Sequence, residues 1–247
     1  MKKIFFIFSL LLSINDVQAQ SCIPKPDCAD MGYTKTSCGG AYLKCPFDTT
    51  KLACLADENA GRLCLVGYIY YSDGTCDSVV YSTKTPIGIV VKPNKLVMSL
   101  DIKENMYWAS SYKDISDLTN YSQTDSSKAD YNGKANTAKI VTAYSSDTAS
   151  NNAAKYCNSY STTGTSAGQW YLPATGEIYM YVYKNVIGNS ALRITLNTLG
   201  KDLSDMNFWS SSEYDSGRAW AVYYNSDNVV NHYKNTFQAE VICFLEI

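Results

Sequence analysis

A single histidine, His232 in the stretch VVNHYKN, sets the limit on what catalysis this chain can support. Ser-His-Asp and Cys-His devices need an imidazole to take the proton from a nucleophile. Any such arrangement would have to be built around His232, and that stretch, which reads as a hairpin or surface loop, holds neither serine nor cysteine. No catalytic residue is assigned. The nine cysteines include no CxxC pair, so a zinc knuckle is not expected. Asp215, Asp227 and Asn228 carry the oxygens a hard cation takes, but so does any polar loop. Neither an obligatory metal nor a cofactor is expected.

The segment around His232 is better suited to recognition. Tyr214, Asp215, Ser216, Gly217 and Arg218 are followed by Tyr223, Tyr224, Asn225, Ser226, Asp227, Asn228, Asn231, His232 and Tyr233. Tyrosine, serine, asparagine, glycine and arginine make binding surfaces such as antibody loops, where rigid amphipathic rings give contact area at low entropic cost. The 21 tyrosines of the chain against 7 phenylalanines fit that reading. Solvated hairpin loops with half-buried edge tyrosines would have the same composition.

These residues must be held by a framework, and the chain gives its outline. MKKIFFIFSLLLSINDVQAQ has the basic start, apolar stretch and small-residue cleavage site of a secretory signal, so residues 1–19 are expected to be removed near Ala19. The mature chain keeps 19 basic and 22 acidic residues, a net charge of −3 with no basic run, which argues against nucleic acid. No later stretch reaches the 18 apolar residues of a membrane span. An exported location, outside the cell, on its surface or in the periplasm, also fits the cysteines, which form disulfides in oxidising compartments. Cys22, Cys28, Cys38, Cys45, Cys54, Cys64 and Cys76 cluster early, whereas Cys157 and Cys243 stand apart. Nine is odd, so one thiol is left free or links to a second chain.

Residues 20–65 read as a small Cys-rich module that needs covalent closure to hold a shape, because little apolar side chain separates its cysteines. It serves as a spacer or a second binding module. From residue 66 the texture changes. LVGYIYYSDGTC, TPIGIVV and KLVMSL read as strands, residues 113–135 as a long polar loop, and residues near Asn151–Tyr160 as a short helix carrying Cys157. Thr175 is placed to cap a helix whose buried face holds Ile178 and Val182, and a second helix from about Ser190 has Leu192, Leu196 and Leu199 in phase. FWSSSE, RAWAVYY and EVICFLEI are the closing strands, with Trp220, Val222 and Tyr224 on one face. The order predicts an α+β domain.

Six motifs stand out within a domain of residues 66–247: DGT at Asp73–Thr75, PIGIVV at Pro86–Val91, WYLPATGE at Trp170–Glu177, FWSSSE at Phe208–Glu213, RAW at Arg218–Trp220 and VIC at Val241–Cys243. Read with them, this order resembles the C-type-lectin-like fold, and most closely the bacterial branch of the DUF1566 / Lcl C-terminal family and the formylglycine-generating-enzyme-like ligand binders. The resemblance makes LPATG a buried turn into a helix, although its letters match the LPxTG signal that sortases cut. It also implies a Cys157–Cys243 bond between the first helix and the last strand. Only Cys243 lies where the enzymes of that family carry a reactive cysteine pair, so their activity is not carried over. The C-terminal segment further resembles the variable region of retroelement-diversified lectin-like proteins, in which Trp209, Trp220, Val222 and Val229 would be scaffold and Ala221, Tyr223, Asn225, Asn228, Val230, Asn231, His232 and Tyr233 display positions.

The function expected is an exported, non-catalytic ligand-binding or adhesion protein that recognises glycan or protein. Tyr214, Asp215, Ser216, Arg218, Ala221, Tyr223, Asn225, Asp227, Asn228, Asn231, His232 and Tyr233 are its contact residues. The alternative is a structural surface component with no free ligand; an enzyme related to the formylglycine-generating proteins ranks below both.

Overall fold

The computed structural model describes residues 64–188, 190–224 and 228–247. The expected signal sequence, the expected module up to residue 63 with Cys22, Cys28, Cys38, Cys45 and Cys54, and the predicted contact residues Asn225 and Asp227 lie outside them. The described residues form an α+β domain with two sheets. One runs β2-β1-β3-β4-β11-β6, made of β1 (Ile69–Tyr71), β2 (Cys76–Asp77), β3 (Pro86–Lys92), β4 (Leu96–Ser99), β6 (Trp170–Tyr171) and β11 (Phe244–Glu246). The other runs β5-β10-β7-β8-β9, made of β5 (Lys103–Met106), β7 (Asn207–Glu213), β8 (Arg218–Tyr223), β9 (Asn228–Tyr233) and β10 (Ala239–Val241). All pairings are antiparallel except β10 with β7.

The expected terminal strand EVICFLEI is split. Val241 ends β10 in one sheet and Phe244 starts β11 in the other, so the chain changes sheets at Ile242-Cys243. That corner is where Cys243 bonds Cys157 of helix α3 (Ala153–Ser159), closing 86 residues, a loop length for which chain entropy gives about 4–5 kcal/mol. A second disulfide joins Cys64 to Cys76 of β2. Both of its cysteines lie in the core of this domain rather than among the early loops.

Both faces of the central strands are covered. On β8, Ala219 and Ala221 face a core built on Trp108, Trp209, Trp170 and the Cys157–Cys243 bond. Trp220 and Val222 face a second core with Phe208, Ile89, Met98, Ile178 and Val182. All four tryptophan N–H groups find acceptors: Trp108 to Ser210 O (2.7 Å), Trp209 to Met106 O (2.8 Å), Trp220 to Tyr121 O (2.9 Å) and Trp170 to the Thr165 hydroxyl (2.9 Å). Three of these acceptors are backbone carbonyls, and two of them, at Met106 and Tyr121, tie the chain on either side of residues 107–120 to the second sheet.

That part of the chain differs from the long loop expected over residues 113–135. It contains helix α1 (Thr124–Lys128) and the start of α2 (Gly133–Ala143). The buried stripe of α2 is Gly133, Asn136, Thr137 and Ile140, three of four without an apolar side chain, so no hydrophobic period announces it. These side chains join a buried polar network. Asp130 Oδ2 accepts from Asn136 (2.9 Å) and from the Ser212 hydroxyl (2.6 Å), and the Thr137 hydroxyl both donates to Leu172 O and accepts from Leu172 N–H.

LPATGE docks into the same network. Leu172, Ala174 and Thr175 have no exposed surface, so the LPATG sequence is a buried turn, as expected. Thr175 does not cap: Ala174 takes that position at the start of α4 (Thr175–Glu177), and Glu177 reaches back to accept the Ala174 N–H at 2.8 Å. The Thr175 hydroxyl instead meets that of Ser210, and Thr175 N–H donates to the Ser212 hydroxyl. A β-bulge between Trp209 and Glu213 frees these serines from the ladder. Gly176 is needed because a Cβ there would lie 2.5 Å from the carbonyl oxygens of both Asp130 and Lys128. A π-helical turn (Ile178–Tyr183) follows, then α5 (Lys184–Gly188) and α6 (Ser190–Thr198), with Ile178, Val182, Leu192 and Leu196 buried in the expected phase.

Burial pushes the Glu177 carboxyl up to about 7, against the Ala174 N–H and the Tyr171 hydroxyl (3.0 Å), which favour the charged form. A carboxyl raised in the folded state contributes stability that is full below its unfolded value near 4.3 and is lost as pH rises through 7. Thermal unfolding between pH 5 and pH 8 should therefore show wild type losing about 2–4 kcal/mol more than Glu177→Gln, whose amide oxygen can still accept from Ala174. Parallel curves for the two proteins would refute the assignment.

Candidate functional site

The C-terminal hairpin is organised from beneath by two charges. Glu213 ends β7 and Lys234 follows β9, and both side chains are fully buried. Lys234 Nζ donates to Glu213 Oε1, to Lys113 O at 2.8 Å and to Ser216 O at 3.2 Å, and lies 4.7 Å from the centre of the Trp108 ring. Burial pushes the Glu213 carboxyl up and the Lys234 ammonium down, while their mutual hydrogen bond opposes both shifts. The backbone completes the clasp. Lys113 N–H donates to Ser216 O, Lys234 N–H to Gly217 O, and Trp108 and Ala109 N–H to Lys234 O. Residues 108–113, the turn 214–217 and the end of β9 are thereby fixed against one another.

Above this clasp lies a compact polar and aromatic surface. Asp215 Oδ2 accepts from Arg218 Nη2 (2.6 Å) and Nε (3.0 Å), while its Oδ1 accepts the backbone N–H of Gly217 and Arg218. The guanidinium sits 4.2 Å from the Tyr214 ring centre and offers Nη1 to Asn231 Oδ1 at 3.3 Å. Tyr214 in turn meets the Trp220 ring edge-on. Arg218 pairs across the strands with Tyr233, whose ring is 56% exposed and lies 6.0 Å from that of Tyr112, itself 51% exposed. Five predicted contact residues (Tyr214, Asp215, Arg218, Asn231 and Tyr233) therefore come together, and Ser216 is exposed in the same turn.

Tyr112 was missed. It sits just before the polar loop expected over residues 113–135, and the contacts of Lys113 with Ser216 O and with Lys234 Nζ bring it beside the hairpin.

The remaining predicted residues are placed differently. Ala221 is fully buried beside Trp209 because β8 is a central strand covered on both faces, so it cannot be a display position. His232 lies on strand β9, not in a loop. Its ring stacks on Phe237 at 3.7 Å, and its Nε2 meets the Tyr223 hydroxyl at 2.7 Å. Burial pushes its pKa down. Tyr223 and His232 thus pack on the face opposite Arg218 and Tyr233, and Asn228 is exposed at the start of β9. Asn225 and Asp227 lie outside the described residues.

The arrangement can offer ring faces, a pinned guanidinium and amide groups to a ligand. Among the described residues no three His, Cys, Asp or Glu side chains gather as a metal site, and no helix is long and apolar enough to cross a membrane.

No protein-family model matches the chain, and no curated protein sequence does. The fold is similar to the crystal structure of a fimbrial protein from Bacteroides ovatus ATCC 8483, with a TM-score of 0.59 at 17% identity. The match covers 74% of this chain and 48% of that one, so the chain spans about half of the fimbrial protein. The two disulfides fit an oxidising compartment outside the cytoplasm.

Replacing Lys234 by Met leaves Glu213 buried without its cation, and should cost about 3–5 kcal/mol in urea unfolding. The double variant Lys234→Met/Glu213→Leu should recover most of that loss. A loss below about 1 kcal/mol for the single variant would mean the pair is not structural.

Proposed function

We propose that this chain is an exported, non-catalytic ligand-binding protein, with a C-type-lectin-like domain that recognises glycan or protein through the head of its C-terminal hairpin. The observation that carries the reading is the fixed cluster of Tyr214, Asp215, Arg218 and Asn231 beside the exposed rings of Tyr112 and Tyr233. A surface whose arginine is held by three hydrogen bonds and an aromatic face loses little entropy on binding. Exposed tyrosines supply apolar contact area with a polar tip. The lectin-like assignment is supported by two sheets that are antiparallel but for the β10–β7 pair, by the helix bonded through Cys157 to the closing strands, and by the WYLPATGE and FWSSSE motifs meeting in one network. The likeness to a fimbrial protein favours a second reading, a structural component of a surface assembly that holds no free ligand.

Retention of the mature chain on glycan arrays and on immobilised surface proteins separates the two. Binding is expected to survive EDTA and to fall about tenfold or more in Tyr112→Ala/Tyr233→Ala, since two aromatic contacts are each worth about 0.5–1.5 kcal/mol. The melting temperature should stay within a few degrees of wild type, because both rings are exposed. Retention that the double variant leaves intact would place the ligand elsewhere. No retention on any glycan or protein would favour the structural reading.

A further inference from the structure

A cavity of about 360 Å³ lies between α6, the chain that follows it and the end of β8, and shares no residue with the hairpin head. Its shape is set by how α6 stops. Gly200 takes a left-handed conformation (φ 66°) just past the helix, with its N–H on Asn197 O at 3.0 Å and the Lys201 N–H on Leu196 O at 2.9 Å. This cap turns the chain, so that Lys201, Leu203 and Ser204 line the same cavity as the helix they follow. Met206 O then accepts the Tyr224 N–H at 3.1 Å, which ties the segment to the end of β8. Val186, Leu196 and Leu203 are buried and form the apolar floor. Arg193 and Asn197, one turn apart on one face of α6, stand at the rim.

The charges at the rim do not cancel. Among the described residues neither Arg193 nor Lys201 pairs with a carboxylate. Asp202, the one acidic residue of the lining, already accepts the Ser204 N–H at 2.9 Å. Burial and Asp202 push the Tyr224 hydroxyl up in pKa and Arg193 opposes them, so the guanidinium charge reaches the Tyr224 side of the cavity. An apolar floor under a few polar groups is the makeup of a small-ligand site, and the volume lies within the roughly 300–1,000 Å³ that such sites span. A bare anion leaves that floor uncovered, and an aliphatic acid leaves the Asn197 amide and the Ser204 and Tyr224 hydroxyls without ligand partners. We propose that the cavity binds a hexuronate unit, its carboxylate between Arg193 and Lys201, its C–H face on the apolar floor and the Tyr224 ring, and its hydroxyls on Asn197 and Ser204. Such a unit occurs as a free sugar acid and at the end of an acidic glycan.

The test titrates the ¹⁵N-labelled mature chain with methyl β-glucuronide and follows the amide signals by NMR. Saturable shifts are expected at Lys201, Asp202, Leu203 and Tyr224. Methyl β-glucoside, which has the ring without the charge, should bind about tenfold or more weaker, and so should the glucuronide to Arg193→Gln/Lys201→Gln, since a hydrogen bond to a charged group is worth about 1.5–3 kcal/mol. Both replaced side chains lack a carboxylate partner, so the variant should fold, and Arg193→Lys, which keeps the charge, serves if it does not. The site does not rest on the hairpin reading: Tyr112→Ala/Tyr233→Ala should bind the glucuronide as wild type does, whether or not that variant loses another ligand. Tighter binding of a disaccharide ending in glucuronate assigns a glycan end, and equal binding assigns the free sugar acid; both support the proposal. Acetate that binds as tightly as the glucuronide overturns it, because the cavity is then a simple anion site. Absence of shifts at the four amides, or equal affinity for the glucoside, overturns it as well.

Discussion

A lysine and a glutamate buried together away from the surface are the constraint on which the hairpin depends. Taking Lys234 and Glu213 out of solvent costs several kcal/mol per ion, and their attraction alone does not guarantee repayment. The structure adds two backbone carbonyls, at Lys113 and Ser216, and the Trp108 ring to the solvation of the ammonium. Those carbonyls belong to segments about a hundred residues apart in sequence, so the charge is neutralised only when both segments are in place. The pair therefore acts more on which conformation forms than on how stable the domain is. Tyr112, Arg218 and Tyr233 are neighbours because of it.

The rest of the domain follows the same pattern of polar groups buried deliberately and satisfied in pairs. The bulge in β7 removes three serines from the ladder, and the LPATGE turn supplies partners for two of their hydroxyls while Asn136 reaches the third. Asp130 ties α2 to Ser212, and Glu177 closes the turn on itself. Two apolar cores on either side of the five-stranded sheet exclude water from this network, which is why each lost hydrogen bond would be costly. The Cys157–Cys243 bond sits where the chain passes from one sheet to the other and fixes that corner covalently.

Much of the framework was legible because it obeys simple periods. Strands β3 and β4 were marked by short apolar runs, β8 by period-two spacing, and the leucine phase of α6 and the buried face of the π-helical turn by i, i+4 spacing. Helix α2 was not, since a stripe of Gly133, Asn136, Thr137 and Ile140 has no hydrophobic signal to read. Ala221 was misplaced because period-two reasoning gives a strand one wet face, and β8 has none. At the site, composition located the hairpin residues but could not add Tyr112, whose position depends on a contact between Lys234 and a distant carbonyl. His232 looked like a loop residue and is held between Phe237 and Tyr223. The general limit is plain in these cases: side-chain pattern announces burial, while buried polar pairing depends on partners that sequence distance conceals.

Hydrogen exchange in the Lys234→Met/Glu213→Leu protein tests the central claim most directly, because that variant removes both charges without leaving either one unpaired. The account predicts that the amides of Lys113 and Lys234, which donate to Ser216 and Gly217, exchange about tenfold or more faster than in wild type. The Val222 amide, in the middle of the sheet, should keep its wild-type rate. Unchanged protection at Lys113 and Lys234 would contradict it, and would mean that packing alone holds the hairpin head in place.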